Sequence, residues 1–273
     1  MGSALNTAKM RGLARSIIQY AKHRWQCANT KGHGVHSPFF FEFITRVLPD
    51  SGHAPINESA ERYRTELLTD NTSFERIDLG IGSRNPLPAT TVQGVAGRSL
   101  KSPRWCRLLF RMLRYYELGP VLELGTSFGV TTQYLAAAVP LQKIYTIEGD
   151  PFIAQRAMAQ FTSAGHNNIE TVIGDFNEVL PGVLRKMGTV GFVWLDGNHQ
   201  RDATIRYVEQ IIPYVQNETF LVLDDIYWSA GMQAAWETLK QHPQVCASID
   251  LFGAGVLLFR KEFKELLHLR LHY

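Results

Sequence analysis

The chain has 273 residues, with 28 basic and 25 acidic side chains and a formal net charge of +3. At about 150 residues per domain this allows one large domain with an appendage. A hydrophobic content of 45% with 11% aromatics excludes a disordered chain. Three cysteines, Cys27, Cys106 and Cys246, exclude a disulfide framework and a four-cysteine zinc site. Apolar runs such as Phe220–Leu223 fall far short of the roughly 20 residues of a membrane span. Lys9, Arg11 and Arg15 precede no uninterrupted apolar run, so the amino terminus does not read as a secretory signal. The expectation is a soluble, reduced, cytoplasmic protein with no membrane association.

Residues 1–41 carry Lys9, Arg11, Arg15, Lys22, Arg24 and Lys31 and no acid. Such an arm can attract anionic ligands or nucleic acid, but a solvated helix face carries the same pattern. Met10, Leu13, Ala14, Ile17, Ile18, Ala21 and Trp25 recur at helical spacing and predict an amphipathic first helix, ended by the glycine-rich link 31–34. His33 and His36 in that link lack a third metal ligand nearby, which favours a capping or lid role. Ser37 and Pro38 read as a helix start. The helix that follows, about 39–48, carries Phe39, Phe40, Phe41 and Phe43, which must bury in the main core or over a ligand cleft.

Residues 50–57 read as a loop, 58–68 as a helix, 70–91 as irregular and 103–116 as a helix. From Leu118 onward strands alternate with helices: strands at 121–124, 143–147, 169–173, 191–195 and 219–223, then a close antiparallel pair at 247–252 and 255–259. A last helix over 261–271 closes the reading. The expected fold is α/β: a doubly wound, mostly parallel seven-stranded sheet with a terminal antiparallel hairpin in residues 101–273, preceded by a helical appendage in 1–100.

Ligands of open α/β sheets bind beyond the carboxyl ends of the strands. The first regular strand runs into Glu123-Leu124-Gly125-Thr126-Ser127-Phe128-Gly129 and a helix from Val130. The second ends in Glu148, placed to accept hydrogen bonds from ribose hydroxyls. Ser127 and Val130 break the Gly-x-Gly-x-x-Gly spacing that a dinucleotide pyrophosphate needs. The stretch Asp78-Leu79-Gly80-Ile81-Gly82 looks similar, but the prolines after it cannot continue into a helix.

With its acid two residues before the first glycine, Glu-x-Gly-x-x-x-Gly resembles the first motif of class I S-adenosylmethionine-dependent methyltransferases. The resemblance covers about residues 101–273. It implies that Gly125, Thr126, Ser127 and Gly129 surround the methionine part of the cofactor and that Thr131 contacts its carboxylate. Glu123 would favour the cationic ligand, Glu148 would bind the ribose, and Asp175 would lie beside the adenine with Phe176 as a stacking neighbour.

The fourth strand ends in Asp196-Gly197-Asn198-His199 and the fifth in Asp224-Asp225. Three carboxylates at adjacent strand ends repel one another unless a cation lies between them, and oxygen donors suit Mg²⁺ or a similar divalent ion. Here the chain resembles the cation-dependent O-methyltransferases of the catechol and caffeoyl-coenzyme A type. That resemblance implies a metal held by Asp196, Asp224 and Asp225, the last standing where the family usually has Asn. His199 occupies the place of a catalytic lysine and is expected to act as the base, with Asp196 beside it.

The expected function is methyl transfer from S-adenosylmethionine to a hydroxyl of a small-molecule acceptor, with divalent-cation assistance. Alternatives are methylation of RNA ribose or protein, or a non-catalytic binding module. No Asn/Asp-Pro-Pro-Tyr/Phe motif follows the fourth strand, which counts against methylation of base amines and makes nucleic acid a poor partner. A homodimer is compatible with the sequence.

Overall fold

A computed structural model describes residues 19–27, 37–50, 57–77 and 90–273. The first helix before residue 19, the link with His33 and His36, most of the 50–57 loop and the Gly80–Gly82 stretch lie outside the described residues.

Residues 19–26 are helical. Then follow α1 (Pro38–Glu42), continued by a wider helical turn (Phe43–Val47), and α2 (Glu58–Leu67). Two-residue strands β1 (Ser73–Phe74) and β2 (Thr90–Thr91) pair antiparallel within the stretch expected to be irregular. Helices α3 (Val92–Ser99) and α4 (Pro103–Tyr116) lead into the main sheet. Ser37 and Pro38 open α1 as expected, but the Ser37 hydroxyl makes no capping bond. Ser102 does cap α4, accepting from the Trp105 amide.

The sheet comprises β3 (Val121–Leu124), β4 (Ile144–Glu148), β5 (Ile169–Ile173), β6 (Val190–Leu195), β7 (Val215–Asp224), β8 (Ala247–Asp250), β9 (Ala254–Leu258) and β10 (Leu267–Arg270). Helices α5 (Val130–Ala138), α6 (Pro151–Ser163), α7 (Phe176–Met187), α8 (Arg201–Ile211) and α9 (Ala230–Lys240) lie between them. The strand order is β10-β8-β9-β7-β6-β3-β4-β5. β9 is antiparallel to both neighbours and every other pairing is parallel, so the doubly wound architecture and the antiparallel pair are present.

The end of the chain corrects the sequence reading. No helix forms over 261–271; instead β10 joins β8 in parallel and makes the sheet eight-stranded. Leu267, Leu269 and Leu271 alternate with His268, Arg270 and His272, a period of two that suits a strand.

Period-two alternation also builds the two core layers. Phe192, Trp194, Phe220, Val222 and Val256 face one layer, while Val193, Leu195, Leu221, Leu223 and Leu257 face the other. The first layer takes in Phe40, Phe43, Ile44 and Val47, so the phenylalanine cluster belongs to the core and not to the cleft. Phe39 stacks on Tyr116 with centroids 5.3 Å apart, and only Phe41 of the four is exposed.

Residues 19–27 sit against the β8 end of the sheet. His23 Nε2 is 2.9 Å from Asp250 Oδ1, and Asp250 also accepts from the Tyr227 hydroxyl at 2.7 Å. Gln26 accepts from Arg270 of β10, and Tyr20 and Arg24 both reach His272. Among the described residues no helix is long and apolar enough to cross a membrane.

Candidate functional site

The carboxyl ends of β3, β4, β5 and β6 open into a cleft of about 600 Å³. Its lining includes Ser127, Glu148, Asp175, Phe176, Asp196 and His199. The turn after β3 is possible only with unusual backbone: Gly125 has φ +101°, Ser127 +47° and Gly129 +80°. A Cβ at Gly125 would lie 2.2 Å from the Asp196 carbonyl oxygen, so the loop packs directly on the backbone after β6. A Cβ at Gly129 would meet the Phe161 ring at 2.5 Å.

Glu148 ties this loop to the next one. Its two oxygens accept from the Ser127 amide at 2.8 Å and the Asp150 amide at 3.0 Å. Burial raises its pKa despite those amide bonds. Asp150 caps α6 through the Phe152 and Ile153 amides, and Asp175 caps α7 through the Asn177 amide. Phe176 packs edge-on to Tyr207 and against Gly197, which fixes its ring on the cleft wall.

The side chains of three expected cofactor residues, Glu123, Thr126 and Thr131, do not line the cleft. Glu123 is fully buried beneath the loop, accepting from Thr132 and Thr146 at 2.6 Å each. Thr126 is buried against Thr146. Thr131 sits on α5 beside Cys106, its hydroxyl 3.9 Å from the sulfur. These side chains support the loop from below, whereas Gly125 and Ser127 reach the cleft surface.

Asp196, Asp224 and Asp225 do converge, together with His199. Asp196, His199 and Asp224 each offer one ligand atom within 4.8 Å of the others. His199 Nε2 is 3.7 Å from Asp196 Oδ1, and its Nδ1 is buried without a hydrogen-bond partner among the described residues. Burial and the neighbouring Asp224 push the Asp196 pKa well up, and the same two causes raise that of Asp225. Asp225 is held at φ +52°, its amide donating to Gly253. That left-handed conformation is one that Asp and Asn tolerate better than most residues.

The sequence reading missed Lys101. Its ammonium contacts Asp224 Oδ2 and lies 3.8 Å from Asp225 Oδ1. Burial works against its charge, but Asp196, Asp224 and Asp225 outweigh it and raise the pKa above that of an ordinary lysine. Ser99, whose hydroxyl bonds that of Ser127 at 2.9 Å, was also missed, as were Arg98 and the largely exposed Trp228 on the cleft rim. Nothing in the sequence flags Lys101: it stands between two helices, in no motif, and reaches the site only through packing.

Residues 122–226 match a family described as a methyltransferase domain. The protein-L-isoaspartate O-methyltransferase of Petrotoga mobilis is 38% identical over 79 residues, 29% of this chain and 36% of that protein's length. The chain thus spans little more than a third of this curated relative. The fold is similar to that of the O-methyltransferase TomG from Streptomyces achromogenes, solved in complex with SAM (TM-score 0.54, 22% identity, 59% of this chain and 82% of the other). It is also similar to an O-methyltransferase from Bacillus cereus in complex with SAH (TM-score 0.52, 18% identity, 59% and 83%).

Proposed function

We propose that this protein is an S-adenosylmethionine-dependent O-methyltransferase acting on a hydroxyl of a small molecule. The observation that carries the reading is the loop 125–129, bent back at positive φ and tethered by Glu148 at the mouth of the cleft. Backbone closely packed at Gly125 and acids at the ends of three successive strands form a cradle for a cationic nucleoside and repel the phosphates of a dinucleotide. Matching names support the assignment: the isoaspartate enzyme and TomG are both O-methyltransferases.

When bound, S-adenosylmethionine supplies a methyl group that an acceptor oxygen takes while the carbon–sulfur electron pair stays on sulfur. Glu148 holds the ribose side, and Asp175 and Phe176 flank the base. His199 receives the acceptor's proton at Nε2, and Asp196 steadies the imidazolium that results. Trp228 offers a flat apolar face at the rim, which suits an aromatic acceptor. A divalent ion fits this site poorly, because the ammonium of Lys101 is already against Asp224.

A second reading, methylation of a protein carboxyl, is favoured by the isoaspartate relatives alone. The test is calorimetry with S-adenosylmethionine, its demethylated product and a nicotinamide dinucleotide, followed by incubation of labelled cofactor with fractionated cell extract. Heat with the first two ligands and label in a small hydroxyl compound is the expected result. Heat with the dinucleotide alone overturns the methyltransferase reading, and label in protein selects the second one.

A further inference from the structure

Three carboxylates at the ends of β6 and β7 demand a positive charge, and the chain supplies one. Lys101 lies in the extended link between α3 and α4, with its side chain 18% exposed and that of Asp224 3% exposed. Its backbone is pinned: the Lys101 carbonyl accepts from Arg64 Nη1 at 2.5 Å. Arg64 is in turn held by Glu61 at 2.9 Å, and Glu61 accepts from the Tyr134 hydroxyl at 3.0 Å. Arg64 also reaches the Cys106 sulfur of α4, so helices α2, α4 and α5 together fix the backbone from which the ammonium reaches the acids.

We propose that Lys101 is the resident cation of this site, taking the place of a divalent metal among Asp196, Asp224 and Asp225 and donating to the acceptor oxygen. An ammonium has three N–H donors. Asp224 and Asp225 both lie within ion-pair distance of that ammonium, which also lines the cleft and can turn a donor toward it. A dication brought to the same carboxylates would have to displace a buried ion pair whose backbone is anchored. The role toward the acceptor rests on the methyl-transfer reading; the place among the carboxylates does not.

The test is Mn²⁺ titration of the full chain, followed by electron paramagnetic resonance of the free ion, for wild type, Lys101→Gln and Lys101→Arg. Wild type and Lys101→Arg are expected to bind no Mn²⁺ below about 1 mM. Lys101→Gln is expected to bind it at least about tenfold more tightly, because the acids are then uncompensated. Micromolar binding by wild type overturns the proposal, and so does an unchanged affinity in Lys101→Gln. If Lys101→Gln folds only with Mn²⁺ present, the ion has replaced the ammonium and the proposal stands; if it does not fold at all, the wild-type titration decides. Calorimetry with S-adenosylmethionine on the same wild-type sample separates the two readings: absence of cofactor binding removes the methyl-transfer role and leaves the Mn²⁺ result intact.

Discussion

Glu123 offers a quantitative test of the core beneath the loop. It is fully buried, Oε2 accepts from two threonines, and Oε1 has no partner among the described residues. Burial, with a smaller push from Glu148, raises its pKa from 4.5 to about 7 against the two threonine bonds. Between those values the unfolded chain has released this proton and the folded chain keeps it. The folded state then binds more protons, so stability falls as pH rises from about 4.5 and levels off above about 7. At about 1.4 kcal/mol for each tenfold change in proton affinity, the full loss is about 3 kcal/mol. Glu123→Gln has nothing to ionise. Its stability relative to wild type should therefore rise by about 2–3 kcal/mol between pH 5 and pH 8. Urea unfolding of the ligand-free proteins, followed by fluorescence of the buried Trp194 and Trp236, measures the difference at each pH. A difference that stays constant from pH 5 to pH 8 would refute the assignment of a neutral Glu123.

Gly125→Ala places a Cβ into the Asp196 carbonyl at a φ that L residues avoid, and it should abolish cofactor binding in calorimetry. Glu148→Ala removes the acceptor of two backbone amides and should weaken S-adenosylmethionine binding by about 10- to 100-fold, read by the same method. On the proposed mechanism His199→Ala should lower kcat by about 10²–10⁴ and leave cofactor affinity within about twofold.

The sequence made legible what depends on local spacing. Gly125, Ser127, Glu148, Asp175 and Asp196 each sit at the end of a strand, and strand ends share one edge of a parallel sheet, so residues far apart in sequence arrive together. The side chains of Glu123 and Thr131 stay out of the cleft lining for a geometric reason. Glu123 is inside β3, where alternation turns it away from Leu122 and Leu124 and toward Thr132 of α5. Thr131 is in the first turn of α5, and its face meets Cys106 of α4. The last strand was misread because Phe263, Leu266 and Leu267 mimic helical spacing, while the leucine alternation that decides for a strand spans only a few residues. Lys101 was illegible because its position is set by tertiary packing of α2, α4 and α5, which no short motif encodes.

The contact between His23 and Asp250 reaches further than a surface ion pair would suggest. Asp250 also holds the Tyr227 hydroxyl, Tyr227 stacks on Phe252 at 5.0 Å, and Trp228 is the next residue along. The stretch 19–27 thus stands behind the part of the cleft rim that Trp228 lines. A change on that stretch, more than 200 positions away in sequence, would alter the footing of Trp228 without touching the loop 125–129. On the proposed function, selectivity for the acceptor and grip on the methyl donor can therefore drift separately in this architecture.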